Sequence, residues 1–548
     1  MERFTSPLEA FNYWVKKEPS KVFLRQPINR EFKEFTYDEA NRQIRQMVTS
    51  FQSLGLQKGD HIAILSKNCA HWIMADLAIM AAACISIPIY PTLGAESIKE
   101  ILIHSESKAI FIGKLDDYSA QKSGIPDIIK IGVDMYDIEE DQSWEKLVSS
   151  HQPAEVIHEQ SAKELMTIMY TSGTTGNPKG VMHTVGSFGQ LINTAIDEIK
   201  LPDNTIYFSY LPMTHIAERA GIEMSVIFRG GTCSFPESLD TFAEDLSSVQ
   251  PETFFGVPRI WQKFQEKILE KMPQKKLDKL LRLPIISGLV KKKIKKALGL
   301  SRSKANFSGA APIAVSLKEW YNKLDIEICQ AYGMTEDCIL SHFNLPGQNK
   351  FGTVGKPLPG VTAKLSGEGE ILIKSNCLMK GYFKEPEKTA DMFTEDGFLR
   401  TGDIGEFDHD GYLSITGRVK DQFKTDKGKY ISPAPIELEI LKNTDIEQIC
   451  IVGTGIPQPI ALIVPSEAAQ KKAKEALDQS IWSTVQEINP ALESYEKIAK
   501  VVIMKEVWSV DNGLMTPTLK VKRNRVESIH MPMYPKWFER EEKVVYES

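Results

Sequence analysis

Cysteine is scarce and scattered: seven residues, at 69, 84, 233, 329, 338, 377 and 450 of 548, form an odd set with no CxxC pair. That argues against a disulfide framework or a zinc knuckle and for a reducing compartment. Long apolar runs are missing too. The best is Trp72 to Tyr90, but it contains Asp76 and ends in a Pro-rich turn. It predicts a buried helix followed by a strand rather than a membrane span. The opening MERFTSPLEAFNYW lacks the basic-then-apolar order of a secretory signal. There is no basic excess: 66 Lys and Arg against 72 Asp and Glu give −6, so the chain is no nucleic-acid polycation and no nucleic-acid partner is expected. No long repeat or low-complexity tract occurs. No G-x-S-x-G, H-E-x-x-H or strand-following G-x-G-x-x-G is present, which disfavours a hydrolase elbow, a zinc peptidase and a dinucleotide oxidoreductase.

What is present reads as a large cytosolic enzyme. Apolar residues make up 42% and charged residues 25%, close to the globular average. At about 150 residues per domain the length suggests three to four units, or two unequal ones if one is a large α/β fold. Ala40, Ile44, Met47, Phe51 and Leu54 recur at helical spacing, and Gly55 and Gly59 stop that helix. A strand at 61–65, a helix at 69–83 and a strand at 85–89 follow, a β-α-β rhythm that implies parallel sheet covered by helices. The rhythm recurs in 100–135, 165–200 and 205–260. From about 350, Gly, Pro and short alternating stretches such as 369–374 and 411–416 predict antiparallel hairpins. A mixed pattern returns after Gly417-Arg418, with helices expected at 436–442 and 466–478 and strands at 448–452 and 460–464. The domain boundary is placed near 417–421.

One segment stands apart. Residues 271–304 hold 12 Lys and Arg against the single acid Asp278, a net +11 that leaves −17 for the rest of the chain. Leu277, Leu280, Leu281, Leu283, Leu289, Val290, Ile294 and Leu298 recur among the lysines at roughly helical spacing. This basic amphipathic pattern fits a solvated helix pair, docking to an anionic membrane, or capture of a phosphorylated ligand.

The strongest chemical signal is Tyr170-Thr-Ser-Gly-Thr-Thr-Gly-Asn-Pro-Lys-Gly180, after the apolar run 165–170. Gly173 and Gly176 free the backbone to present N–H groups, Thr171, Ser172, Thr174 and Thr175 add hydroxyls, and Lys179 adds a charge. That inventory suits a polyphosphate. It is not a Walker A loop, because Gly180 follows the lysine where Ser or Thr would stand. In Gln330-Ala-Tyr-Gly-Met-Thr-Glu336, Tyr332 can stack on a purine, Thr335 can bind phosphate and Glu336 can hold Mg²⁺. A buried tyrosine with a capping threonine is the plainer alternative. Asp403 in a Gly-bracketed turn can accept two ribose hydroxyls, and Arg418 can pair with ribose or phosphate. A turn aspartate and a surface arginine would look the same in isolation.

Taken together, Tyr170–Gly180, Leu211-Pro-Met-Thr-His215, Ser308-Gly-Ala-Ala-Pro312, Gln330–Glu336, Thr401-Gly-Asp403 with Gly417-Arg418, and Thr516-Pro-Thr-Leu-Lys-Val-Lys522 resemble the motifs of the adenylate-forming superfamily, in its order, over roughly 10–530. The resemblance implies an α/β fold. Its large N-terminal domain, 1–417, would stack mixed β-sheets with helices and carry a β-barrel-like subdomain at about 350–417. A small mobile α+β domain, 418–548, would complete it. The resemblance also implies ATP, Mg²⁺ and CoA as cofactors. ATP and AMP would be bound by Thr171, Ser172, Gly173, Thr174, Thr175, Gly176, Lys179, Gly309, Ala310, Ala311, Gln330, Ala331, Tyr332, Gly333, Thr335, Asp403 and Arg418. Lys520, preferred to Lys522 two residues on, would be catalytic with Thr171 and Glu336, the last two on the metal. His215 would line the substrate site without acting as a base, since a carboxylate is already ionised at neutral pH. Lys420 would be the hinge, and Gly428 would enter in the CoA step.

Stretches 428–437, 456–460 and 514–520 look most like the long-chain fatty acyl-CoA synthetase branch, which implies a fatty acid and CoA as partners. A fatty acyl-AMP ligase loading a carrier protein remains beside it. So does a catalytically silent lipid-binding homologue, although Lys179, Glu336, Asp403, Arg418 and Lys520 are all present. The expected location is cytoplasmic, with peripheral membrane contact through 271–304 as an added expectation. The oligomeric state is left open between monomer and homodimer.

Overall fold

The computed structural model describes residues 2–171, 178–426, 428–510, 512–516 and 520–547. Its N-terminal part is organised by an eight-stranded sheet. In spatial order the strands are Gly381–Tyr382, Lys179–Thr184, Leu165–Thr171, Ile85–Ile89, His61–Leu65, Ala109–Ile112, Ile129–Gly132 and Gln142–Ser143. From Leu165–Thr171 to Gln142–Ser143 every neighbour is parallel; the two strands at the other edge are antiparallel. Continuous apolar runs such as Ile-Ala-Ile-Leu are what a parallel sheet covered on both faces requires.

The helix Tyr37–Ser53 opens on a capping box, with Thr36 and Glu39 satisfying each other's backbone N–H. Ala40, Ile44, Met47 and Phe51 face the core as expected, while Leu54 is already the cap residue. The helix Ala70–Ala81 is buried on every side, so it needs no polar face. It and the strand Ile85–Ile89 account for the apolar stretch around Asp76. Among the described residues no helix is long and apolar enough to cross a membrane.

A five-stranded sheet runs Thr253–Phe255, Ala305–Ser308, Ile328–Tyr332, His342–Phe343, Lys356–Pro357, parallel at first and antiparallel after Tyr332. Next to it an antiparallel sheet orders Thr362–Leu365, Glu370–Lys374, Leu399–Phe407 and Leu413–Arg418. A register irregularity between Ile404 and Gly405 bends its longest strand. Beyond Arg418 the chain forms a separate mixed sheet, Ile446–Val452, Ile460–Pro465, Lys500–Ile503 and Val544–Tyr546.

Two helices depart from the sequence pattern. The helix near 436 is Pro433–Ile440, because proline is well suited to a first turn. The single helix expected at 466–478 is two, Glu467–Gln470 and Lys474–Ile488. The break frees Lys472 to reach both oxygens of Asp445 at 2.7 and 2.8 Å, and the second helix then buries Leu477, Ile481 and Val485.

Candidate active site

Two sheets deliver the central polar cluster. The register of Leu399–Phe407 against Leu413–Arg418 sets Asp403 directly opposite Arg418. Arg418 Nε donates to Asp403 Oδ1 at 2.6 Å, and the Tyr332 hydroxyl, arriving from the other sheet, donates to Oδ2 at 2.7 Å. The Asp403 side chain is 9% exposed but that of Arg418 is 50% exposed. Among the described residues the two terminal nitrogens of Arg418 make no hydrogen bond. Two bonds also leave a carboxylate with lone pairs to spare. Asp403 raises the Arg418 pKa further, and burial together with Asp403 pushes the Tyr332 phenol well up, so both keep their protons.

After Tyr332 the backbone passes so close to Ile339 that a Cβ on Gly333 would sit 2.7 Å from the Ile339 Cα, so only glycine fits. The loop after Ser308 has Ala310 in the left-handed region at φ 66, a strained geometry that surrounding structure must hold. Gly309 and Ala311 flank it, and Ser308 lies opposite Gln330, next to Ala331.

At the other end, Tyr382 links two predicted residues that sequence did not connect. Its hydroxyl donates to Glu336 Oε1 at 2.8 Å, and the Lys179 ammonium lies 5.0 Å from its ring centroid. Thr171, on the strand paired with Lys179, closes the base of the loop. Ser172, Gly173, Thr174, Thr175 and Gly176 lie outside the described residues. The Thr335 carbonyl accepts from His183 Nε2 at 2.6 Å; burial pushes His183 down to about 4, so the ring is neutral and can donate.

Lys520 belongs to the C-terminal domain, where Thr516 N donates to the Lys520 carbonyl at 2.8 Å. Its side chain is exposed, yet its ammonium is pushed down to about 8, by desolvation first and repulsion from Arg418 second. His215 is pushed down to about 4 by desolvation, with Lys520 as the second cause. Lys520 is thus within electrostatic range of His215, Arg418 and Asp403. Lys420 sits in the exposed turn beyond Arg418, where the Val419 N–H bonds the Gly402 carbonyl at 2.9 Å. Gly428, at φ 77, lies in the turn between Phe423–Lys424 and Tyr430–Ile431, hydrogen-bonded to Thr425 within the C-terminal domain. Lys520 is therefore coupled to the cluster, while the hydrogen bond of Gly428 stays within its own domain.

A second polar group lies behind His215 and carries no motif. His215 caps the short helix Ile216–Glu218, which runs on into a π-helical turn, Arg219–Met224. Arg219 Nη2 donates to both Asp76 oxygens at 2.7 Å and to Ser86 Oγ at 2.8 Å, and Nη1 donates to Thr167 at 2.6 Å. Trp72 and Phe188 cover the guanidinium. Glu223 beside it is pushed well up by burial and by Asp76. Glu218 Oε1 takes Ser209 Oγ at 2.7 Å, Tyr210 N at 2.9 Å and Asn68 Nδ2 at 3.3 Å, tying down the loop that leads to His215. Burial pushes that carboxyl up to about 8.

A tyrosine-clamped aspartate and a half-exposed arginine that keep spare hydrogen-bonding groups mark an open polar site of the kind an enzyme offers a ligand. The chain belongs to the AMP-binding enzyme family: the family model matches residues 11–383, and that of the AMP-binding enzyme C-terminal domain matches 420–530. It is 29% identical to a long-chain-fatty-acid--CoA ligase of Mycobacterium bovis, over 93% of each chain. It is 28% identical to a long-chain-fatty-acid--CoA ligase of Xenopus laevis, over 95% of this chain and 82% of the other. In fold it matches the adenylation domain of a Mycobacterium chelonae carboxylate reductase, with TM-score 0.82 at 20% identity over 98% of this chain and 92% of that one. It also matches an anthranilate CoA ligase solved with anthranoyl-AMP, with TM-score 0.78 at 18% identity over 96% and 98%.

Proposed function

We propose that the protein activates a long-chain fatty acid with ATP and passes the acyl group to CoA. The reading is carried by Lys520 reaching the Asp403–Arg418–Tyr332 cluster from the other domain, in a chain similar over most of its length to long-chain-fatty-acid--CoA ligases.

In the first half-reaction a carboxylate oxygen bonds the α-phosphorus and pyrophosphate leaves. Lys520 bridges carboxylate and α-phosphate, and the loop 171–179 neutralises the departing phosphates. Asp403 takes the ribose hydroxyls, Arg418 contacts ribose or α-phosphate, and Tyr332 lies against the base. Gln330, Ala331, Gly333, Thr335 and 309–311 shape the rest of the nucleotide site. His215, neutral, lines the carboxylate end of the acyl pocket.

Mg²⁺ fits the donors available: Glu336 offers a carboxylate whose Oε1 alone takes a hydrogen bond among the described residues, and Thr171 adds a hydroxyl oxygen. When bound, it supplies charge neutralisation at the phosphates.

In the second half-reaction the CoA sulfur bonds the acyl carbon and AMP leaves. Gly428 lies away from the cluster in this arrangement, so we assign a rotation of the domain beyond 418–421 about Lys420 that withdraws Lys520 and admits Gly428.

The test is purified protein with Mg-ATP, CoA and a ladder of fatty acids, following AMP and thioester. AMP release that requires CoA and peaks with long-chain acids is expected. Adenylate that accumulates regardless of CoA would assign the protein to carrier loading, and no turnover with any acid would make it a binding protein.

A further inference from the structure

The basic segment forms a hairpin of two helices, Gln274–Leu281 and Pro284–Ala297. Its inner side is conventional: Leu277, Ile294 and Leu298 join a core with Trp261, Phe264 and Trp320, which also holds Phe254 and Ile328 of the five-stranded sheet. The hairpin is thus fixed to the sheet that carries the nucleotide cluster.

Its outer side is not conventional. Leu283 is 48%, Ile285 84%, Ile286 39% and Leu289 65% exposed. Scattered exposed aliphatics are ordinary, but four of the 14 large exposed apolar residues described fall within these seven positions. Ile285, Leu289, Lys292 and Lys296 recur at spacings of four, three and four, so one solvent-facing stripe runs from apolar to basic. Lys279, Arg282, Lys292, Lys293 and Lys296 form no ion pair among the described residues. The hairpin's one acid, Asp278, accepts from Gln274 Nε2 at 2.7 Å.

These features select one occupant. A merely solvated face has no reason to hold Ile285 and Leu289 in water. A phosphate pocket has no use for four exposed aliphatic side chains. A second copy of the chain would set the same positive charge against itself. An anionic lipid surface answers both halves, because aliphatic side chains enter the acyl boundary while lysines lay their stems along it and reach the headgroups.

We propose that this hairpin docks the protein on an anionic phospholipid bilayer, with Leu283, Ile285, Ile286 and Leu289 inserted and the lysines on the phosphates. The inference deepens the fatty-acid reading, since a long-chain acid dissolved in a bilayer holds its carboxylate at headgroup level. Its test is independent of turnover.

The full chain is sedimented with vesicles of phosphatidylcholine, with and without phosphatidylglycerol, for wild type, an Ile285→Ser/Leu289→Ser variant and a Lys292→Glu/Lys293→Glu/Lys296→Glu variant. All five positions are surface ones, so folding is spared. Wild type should bind only the anionic vesicles and release as salt rises. Each variant should lose at least about tenfold in partitioning. Turnover of an acid supplied on albumin should stay unchanged in both. Binding that ignores phosphatidylglycerol, or that survives both variants, overturns the proposal. So does sedimentation equilibrium showing that these side chains hold a dimer without vesicles. Should wild type bind as expected yet turn over no acid, the docking stands and the fatty-acid reading falls.

Discussion

Asp76 with Arg219 and Asp403 with Arg418 are the same chemical pair in opposite settings. Both partners of the first are fully buried, and the other neighbours of Arg219 are supplied from inside: Thr167, Ser86, the Glu223 carboxyl at 3.6 Å and two aromatic faces. The second is made through Nε alone, at an arginine that is half exposed, with Tyr332 steadying the aspartate. Among the described residues Arg219 Nε makes no hydrogen bond and faces only the Glu223 carboxyl at 3.6 Å, but burial seals it from any ligand. The open one keeps two guanidinium nitrogens and several carboxylate lone pairs in reserve. An ion pair therefore reports function by what it leaves unspent within reach of solvent, and position in a motif merely correlates with that.

Substitutions at the two pairs should behave differently. The largest effect should come from Arg219→Met or Asp76→Leu alone, each leaving an uncompensated buried charge and destabilising by about 3–5 kcal/mol in chemical denaturation. The two together should restore most of that. Arg418→Met should cost stability less than about 1 kcal/mol, as half-exposed pairs do, and register instead as lost nucleotide binding.

Next in size, Lys520→Ala should slow adenylate formation about 10²–10³-fold, equivalent to about 2.7–4 kcal/mol, while thioester formation from supplied acyl-adenylate survives. Loss of both half-reactions together would show that Lys520 serves the fold rather than the first step. A smaller, lopsided effect is expected of Lys420→Pro, which should spare adenylate formation more than thioester formation. Equal loss of the two in single-turnover assays would remove the hinge.

The smallest effect concerns pH. A carboxyl whose folded pKa is raised stabilises fully below its unfolded value and loses that contribution as pH rises through the folded value. For Glu218 that window runs from about 4.5 to about 8. Since all three of its hydrogen bonds enter Oε1, Glu218→Gln can keep them, and it should flatten the fall in Tm across that window. An unchanged profile would mean that another buried carboxyl, such as Asp337, also pushed up to about 8, sets the slope.

The contrast also explains what was legible in the sequence. Asp403, Arg418, Tyr332, Glu336 and Lys520 lie in short motifs whose residue types state their chemistry, so they could be named before the fold was known. The helix at 40–53 and the strands at 61–65 and 85–89 follow from local periodicity. The Asp76–Arg219 pair joins residues 143 apart through a π-helical turn, and neither has a local signature. Tyr382 reaches Glu336 only because its strand pairs with Lys179–Thr184 at the sheet edge; the flanking Gly381 is the one hint in sequence. The helix at 466–478 broke because Lys472 found Asp445, a partner that periodicity cannot see. In the basic hairpin the spacing showed the apolar positions but not their side: the chain breaks at Arg282–Leu283, and the second helix turns Leu289 outward while Ile294 faces in.

The central claim is that the open pair and Lys520 form one adenylating centre for fatty acids. It is tested most directly by fatty-acid-dependent exchange of labelled pyrophosphate into ATP, measured without CoA. The account predicts exchange in the wild type with a long-chain acid, near-complete loss in Lys520→Ala and Arg418→Met, and wild-type binding of the acid by both variants. Exchange that persists in both variants, or none in the wild type with any acid, would contradict it.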